Sequence, residues 1–200
     1  ARASKALANQ SLKRNFTMKP SMKAVMGGFA GLALAACAST AVADNSEAGI
    51  SEADVVAAQT EWGNGIVAIA AVHTEGGDFA ARATEHINTL YAYGDTAVMF
   101  KPTLAADDQF RETFDEALSY FIGTEGTEDS GFAIKGWTNV RWESNGIYTS
   151  GDSATAMGNY YFTGPDGSET KVEYSFGYVL DEAGDLKINL HHSSLPYSAG

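Results

Sequence analysis

The sequence predicts an α+β domain: a cone-shaped, curved antiparallel sheet with helices packed on its concave face. Three observations predict it. Apolar residues recur at helical spacing between residues 52 and 122. From residue 131 to 195 the texture changes to alternating Trp, Tyr, Phe, Val and Thr, broken by Gly- and Asp-bearing turns. Helices come first and strands afterwards, an order that gathers the helices on one side of the sheet.

Each element has its own signal. Ser51-Glu52-Ala53-Asp54 is a helix-opening capping arrangement with acids in the first turn. Val55, Trp62, Ile66, Ile69 and Val72 follow at helical spacing and predict an amphipathic helix over 52–73. Gly63 and Gly65 weaken it by about 1 kcal/mol each and permit close packing on a sheet. A second helix is expected over 78–92, ended near Gly94-Asp95. Ala97 to Phe100 reads as a short strand stopped by Pro102. A third helix is expected over 107–122, with Phe110, Phe114, Ala117, Leu118 and Phe121 as its apolar face. Turns at Glu143–Gly146, Gly151-Asp152, Gly164–Gly167 and Glu182–Asp185 then divide the remainder into a meander of strands. Such a sheet wraps into a cone whose mouth leaves room for a pocket between helix and sheet.

Charge divides the chain in two. Residues 1–43 hold six basic residues and no acid; residues 44–200 hold 25 acids and seven basic residues, a formal charge of −18. So acidic a surface repels phosphate backbones and argues against nucleic acid as a partner. The first 43 residues read as a targeting segment. From Met18, Lys19 and Lys23 precede a short apolar run, and Ala41-Val42-Ala43 offers a small-x-small cleavage site before Asp44. The run is too short, and too rich in Ala and Gly, for a membrane span. Leu34-Ala35-Ala36-Cys37 supports a second reading, a lipobox with a lipid anchor on Cys37. Residues 1–17, rich in Ser, Ala and basic residues, suit a plastid transit peptide. The expected location is therefore exported or organellar, plastid or thylakoid lumen against bacterial periplasm. Residues 44–200 are expected to form one domain. It has no cysteine, hence no disulfide, thiolate nucleophile or cysteine metal ligand.

The last strand is the most informative stretch. In Asp185 to Pro196, alternate side chains point to opposite faces. If Ile188 and Leu190 set the core-facing register, His192 and Ser194 continue on that side while Asn189, His191 and Ser193 face away. A one-residue bulge inverts this assignment. The bland reading of the same residues is solvation of a strand end.

The ending His191-His192-Ser193-Ser194-Leu195-Pro196 resembles the signature of iota-class carbonic anhydrases. Phe100-Lys101-Pro102-Thr103 with Tyr120-Phe121, and Gly131-Phe132-Ala133-Ile134-Lys135-Gly136-Trp137, are similar to two further segments of that family. The resemblance spans about 50–197. It implies the fold of the calcium/calmodulin-dependent kinase II association domain and the nuclear transport factor 2-like superfamily. It also implies reversible hydration of carbon dioxide to bicarbonate, with no cofactor and no metal, in a pocket of Thr, Tyr, His and Ser. Carried over by motif, these are Thr103, Tyr120, His192 and Ser194, the pair on the last strand being chosen by register; His191 and Ser193 are the neighbouring candidates for substrate binding.

The chemistry has rivals. His73, His86, His191 and His192 form no dense ligand motif, and adjacent histidines on a strand diverge; a metal site would have to draw on His73, His86 and one of the pair. Asp54, Asp78, Asp107, Asp108 and Asp115 could supply a carboxylate base, yet all sit at helix starts or on solvated faces. Tyr160, Tyr161, Phe162, Tyr174, Phe176 and Tyr178 read as sheet core and cross-strand pairs ahead of a ligand cage. The alternative from another class is a non-catalytic domain that oligomerises or binds a small ligand. Either reading is compatible with a homodimer through the sheet, with Trp137, Trp142 or Tyr174 as candidate contacts.

Overall fold

The computed structural model describes residues 49–198. The expected targeting segment, residues 1–43 with Cys37 and the candidate cleavage site at Ala41–Ala43, lies outside the described residues. Three α-helices, α1 (Glu52–Thr74), α2 (Phe79–Leu90) and α3 (Phe114–Ile122), combine with five strands: β1 (Met99–Lys101), β2 (Asn139–Ser150), β3 (Ser153–Thr163), β4 (Glu169–Leu180) and β5 (Leu186–Ser194). The strand order is β1-β5-β4-β3-β2. β2 to β5 form the expected antiparallel meander, whereas β1 joins the edge of β5 in parallel. The α+β class and the helices-on-sheet arrangement are as the sequence predicts.

α1 opens with a complete capping box. The Ser51 hydroxyl accepts from the Asp54 amide and the Asp54 carboxylate accepts from the Ser51 amide. Its inner face buries Val55, Trp62, Ile66 and Ile69, each worth roughly 1.5–3 kcal/mol against an exposed position. Gly63 lets the helix approach β2: a Cβ there would lie 3.0 Å from Val140 Cβ and 3.2 Å from Trp142 Nε1. By length and composition α1 could also cross a membrane, but here this inner face packs on the sheet.

Four expectations require correction. The third helix begins at Phe114, seven residues late. Thr113 and Glu116 form its capping box, and the segment before it is held extended by the Arg111 amide, which donates to Phe100 O at 2.8 Å. Phe110 consequently lies exposed instead of on the helix face. Residues 143–146 are not a turn: β2 runs through them with a bulge at Asn145, between the Ser144–Gly158 and Gly146–Met157 pairs. Tyr174 is a core residue, the partly buried Trp142 packs on it edge to face at 5.0 Å, and Trp137 is pinned by donating to Phe132 O at 2.7 Å. Tyr174 is buried and the two tryptophans are only partly exposed; the freely exposed large side chains on the strands are Met99, Tyr148 and Met157. The fourth correction concerns the register of β5.

Candidate active site

The register of β5 shifts between its pairs Tyr178–Ile188 and Gly177–Leu190, leaving Asn189 as the extra residue of a bulge. Gly177 makes room for it, since a Cβ there would lie 3.0 Å from Asn189 Oδ1 and 3.0 Å from Leu190 Cβ. Beyond the bulge the parity of the strand is inverted. His191 pairs with Phe176 and Ser193 with Tyr174, both inward residues of β4. His191 and Ser193 are each 3% exposed. His192 is exposed, and Ser194, half-buried on the outer face, donates to Glu173 Oε2 at 3.1 Å. The expectation that Ile188 and Leu190 are both buried, with His192 and Ser194 turned to the pocket, is therefore wrong. Ile188 is buried, Leu190 only partly so, and the inward pair is His191 and Ser193.

The His191 ring is sandwiched. Phe176 of β4 stacks on one side at 4.1 Å and Phe100 of β1 on the other at 4.6 Å. Trp62 of α1 meets it edge-on at 5.5 Å. Its nitrogens both have partners: Nδ1 lies 2.8 Å from the Tyr91 hydroxyl, and Nε2 lies 3.0 Å from Ser193 Oγ. Tyr91 in turn accepts from Trp62 Nε1 at 2.9 Å. Tyr160 donates to Ser193 Oγ at 2.6 Å. Burial drives the pKa of His191 well below its ordinary value, with His192 and His86 adding repulsion, so the imidazole is neutral. Burial raises the Tyr91 and Tyr160 phenols above their usual range and keeps both protonated.

Thr103 and Tyr120 form a second polar group. Thr103 follows β1 and is half-buried; Tyr120 projects from α3 and is buried. The backbone N–H groups of Leu104 and Thr103 approach the Tyr120 oxygen, while burial, the larger influence, holds the phenol protonated. Phe100 joins the two groups, packing edge to face on Tyr120 at 5.7 Å while stacking on His191. Behind Tyr120 lies a buried ion pair, Arg111 Nη2 to Asp129 Oδ1 at 2.6 Å, with Ser119 Oγ donating to Asp129 Oδ2 at 2.7 Å. The Arg111 guanidinium stands 5.9 Å from the centre of the Tyr120 ring.

Of the six residues expected at the site, the structure buries Tyr120, His191 and Ser193, with Phe100 packed against both Tyr120 and His191, half-buries Thr103, and turns His192 and Ser194 to the outer face of β5. Sequence reasoning missed Tyr91, Tyr160 and Trp62 as members of a polar chain. Tyr91 gave no periodic signal, and Trp62 and Tyr160 looked like core. The bulge did have a signal: a glycine inside an aromatic strand, Gly177 between Phe176 and Tyr178, often marks one. The histidines available for a metal alternative are dispersed. His73 packs against Phe79 at 4.8 Å and His86 against Phe121 at 5.7 Å. Among the described residues, no three His, Asp or Glu side chains converge. What the site offers is hydroxyl and phenol donors around a neutral imidazole in an aromatic enclosure, a setting suited to a small anionic oxygen ligand.

Comparison with known proteins bears on that chemistry. A sequence model of the family described as metal-independent carbonic anhydrase matches residues 53–195. The chain is 40% identical over 153 residues to a metal-independent carbonic anhydrase of Nostoc sp., an alignment covering 74% of this chain and 75% of the relative. Among solved structures it is similar to an iota-carbonic anhydrase from a cyanobacterium, complexed with bicarbonate. That match has a TM-score of 0.73 at 38% identity, over 76% of this chain and 95% of the other. A structure described as a calcium/calmodulin-dependent protein kinase II association domain, from Xanthomonas campestris, matches with a TM-score of 0.52 at 20% identity. It covers 75% of this chain and 91% of that one, and shares the fold.

Proposed function

The chain belongs to the metal-independent carbonic anhydrase family, and on that premise we propose that it interconverts carbon dioxide and bicarbonate without a metal, at the site formed by Thr103, Tyr120, His191 and Ser193. The observation that supports this placement is the buried contact of Ser193 Oγ with His191 Nε2 at 3.0 Å, within the aromatic enclosure. Hydration adds water across one C=O bond of carbon dioxide and releases a proton, so negative charge grows on the carbonate oxygens. Ser193 and Tyr120 are protonated donors available to those oxygens, and Thr103 supplies a further hydroxyl at the rim. Fixed donors in a dry enclosure stabilise such charge without reorganising at the moment of reaction. Phe100 and Phe176 keep bulk water from the imidazole and hold its plane.

The experiment is stopped-flow carbon dioxide hydration by residues 44–200, before and after exhaustive chelation. Activity that survives chelation is expected. Activity abolished by EDTA and restored by zinc or manganese would sink the metal-free reading. No hydration under any condition would favour a domain of the same fold that only binds or oligomerises. A homodimer through the outer face of the sheet, where Tyr148 and Met157 are exposed, belongs to the same proposal and is tested by light scattering of wild type and Tyr148→Glu. Export or organellar import is tested by mass spectrometry of the native N-terminus. Retention of residues 1–36 would refute both cleavage before Asp44 and lipidation of Cys37.

A further inference from the structure

Five buried groups, Trp62, Tyr91, His191, Ser193 and Tyr160, form one continuous hydrogen-bonded chain, and its direction can be worked out from which atoms own protons. Trp62 Nε1 can only donate, so the Tyr91 oxygen accepts from it. The Tyr91 proton has one remaining neighbour, His191 Nδ1 at 2.8 Å. If Nδ1 carried a proton instead, it too would point at the Tyr91 oxygen. The Tyr91 O–H would then be orphaned among the rings of Phe100 and Phe121, a buried donor with no acceptor, which folded proteins avoid. With Nδ1 accepting, the neutral ring bears its proton on Nε2, which donates to Ser193 Oγ. Tyr160 donates to the same oxygen. Both lone pairs of Ser193 are then occupied, and its own proton is the one left without an acceptor in the chain. Ser193 is the last inward residue of β5.

We infer that Tyr91 and Tyr160 are positioning residues that lock His191 in the Nε2–H tautomer and leave the Ser193 hydroxyl with a single role, donor to the substrate's oxygen. The inference rests on the proposed carbonic anhydrase reading for the identity of that acceptor. It also gives His191 a defined part. With Nδ1 held by Tyr91 and Nε2 already protonated, the imidazole transmits hydrogen bonding and does not act as the general base. The proton released in hydration passes to bulk water or buffer and not to His191.

The test is nitrogen-15 NMR of the full chain labelled at histidine, the four histidines being assigned by single replacement. At pH 7, wild-type His191 is expected to show a bare Nδ1 and a protonated Nε2; an Nδ1–H ring or an imidazolium overturns the inference, and the tautomer itself is read on the wild-type protein. Tyr91→Phe keeps the ring and deletes only the hydroxyl. It should shift His191 toward the Nδ1–H form and lower kcat on the order of tenfold, with KM for carbon dioxide changed less than about twofold. An unchanged tautomer with full kcat in that variant overturns it equally. Wild type that shows the Nε2–H ring but no hydration would refute the carbonic anhydrase reading and the role of Ser193 toward bicarbonate, while the direction of the chain would stand.

Discussion

His191 and Phe176 face each other across the β4–β5 ladder, and their rings stack at 4.1 Å with 24° between planes. This stack fixes which of two adjacent histidines is inside. The corresponding prediction is a contrast between neighbours. Ser193→Ala removes a donor from the enclosure and should raise the barrier by about 3 kcal/mol, on the order of a hundredfold in rate. Ser194→Ala loses only a surface contact to Glu173 and should keep nearly wild-type activity. Stopped-flow rates at matched melting temperature check it; the opposite ranking would return the site to His192 and Ser194.

Tyr120→Phe and Thr103→Val keep most of the volume of each side chain and delete one hydroxyl. Both should lose most hydration activity while their circular dichroism is unchanged. The Tyr120 variant should lose more, because its hydroxyl is buried whereas Thr103 is half in solvent. Near-wild-type rates in both would detach α3 and the end of β1 from the chemistry.

The Arg111–Asp129 pair is 2–3% exposed at its side chains. Removing one partner strands a buried charge, which typically costs 3–5 kcal/mol. Arg111→Met should therefore lower stability by about that amount in urea unfolding, and Asp129→Asn by less because Ser119 and Arg111 can still bond to the amide. If Arg111→Met unfolds at the wild-type urea midpoint, the buried pair contributes nothing to stability.

Acid should weaken the domain in two stages. Burial lowers His86 from 6.5 to about 3, with Arg82 adding repulsion, and His191 is lowered well below the same value. Below pH 6.5 the unfolded chain takes up protons that the folded chain refuses, so stability is intact above that pH and falls as the pH drops. Each histidine contributes a slope of about 1.4 kcal/mol per pH unit. Glu116 and Glu128, lowered from 4.5 chiefly by backbone N–H donors, act in the same direction but only below about that value. Denaturant unfolding between pH 6 and 4.5 should show a slope close to two protons, and His86→Leu should halve it. A flat profile over this window would mean that neither imidazole is kept neutral by the fold.

The sheet and helices were legible because their signals are local and repeated. The Ser51–Asp54 cap and the spacing of Val55, Trp62 and Ile66 place α1 to within a residue of Thr74. The start of α3 was not legible. Phe110 fits the apolar period as well as Phe114 does, and only the non-local bond from the Arg111 amide to Phe100 O holds that stretch away from helix. The doubled ending of β5 showed that a histidine and a serine would face inward, while which pair does so was not legible, because one unpaired residue between strands is a tertiary event. Gly177 hinted at that bulge, as Gly158 did opposite Asn145. Tyr91 was invisible: nothing in a sequence says that a phenol at the end of α2 will meet a ring nitrogen one hundred residues later.

The doubling of both residues in His191-His192-Ser193-Ser194 makes β5 forgiving in composition and strict in position. Were the strand to zip up one residue out of step, without the bulge, a histidine and a serine would still point inward. They would oppose Tyr174 and the next inward residue of β4, one pair further along the ladder. The imidazole would then leave the Phe100–Phe176 sandwich by two residues along β4, about 6.8 Å, beyond the grasp of Tyr91. His192 and Ser194 thus act as a decoy copy of the site. A misthreaded chain would carry the right side chains inward and have the wrong neighbours, so what selects the working alignment is the fit of Asn189 against Gly177.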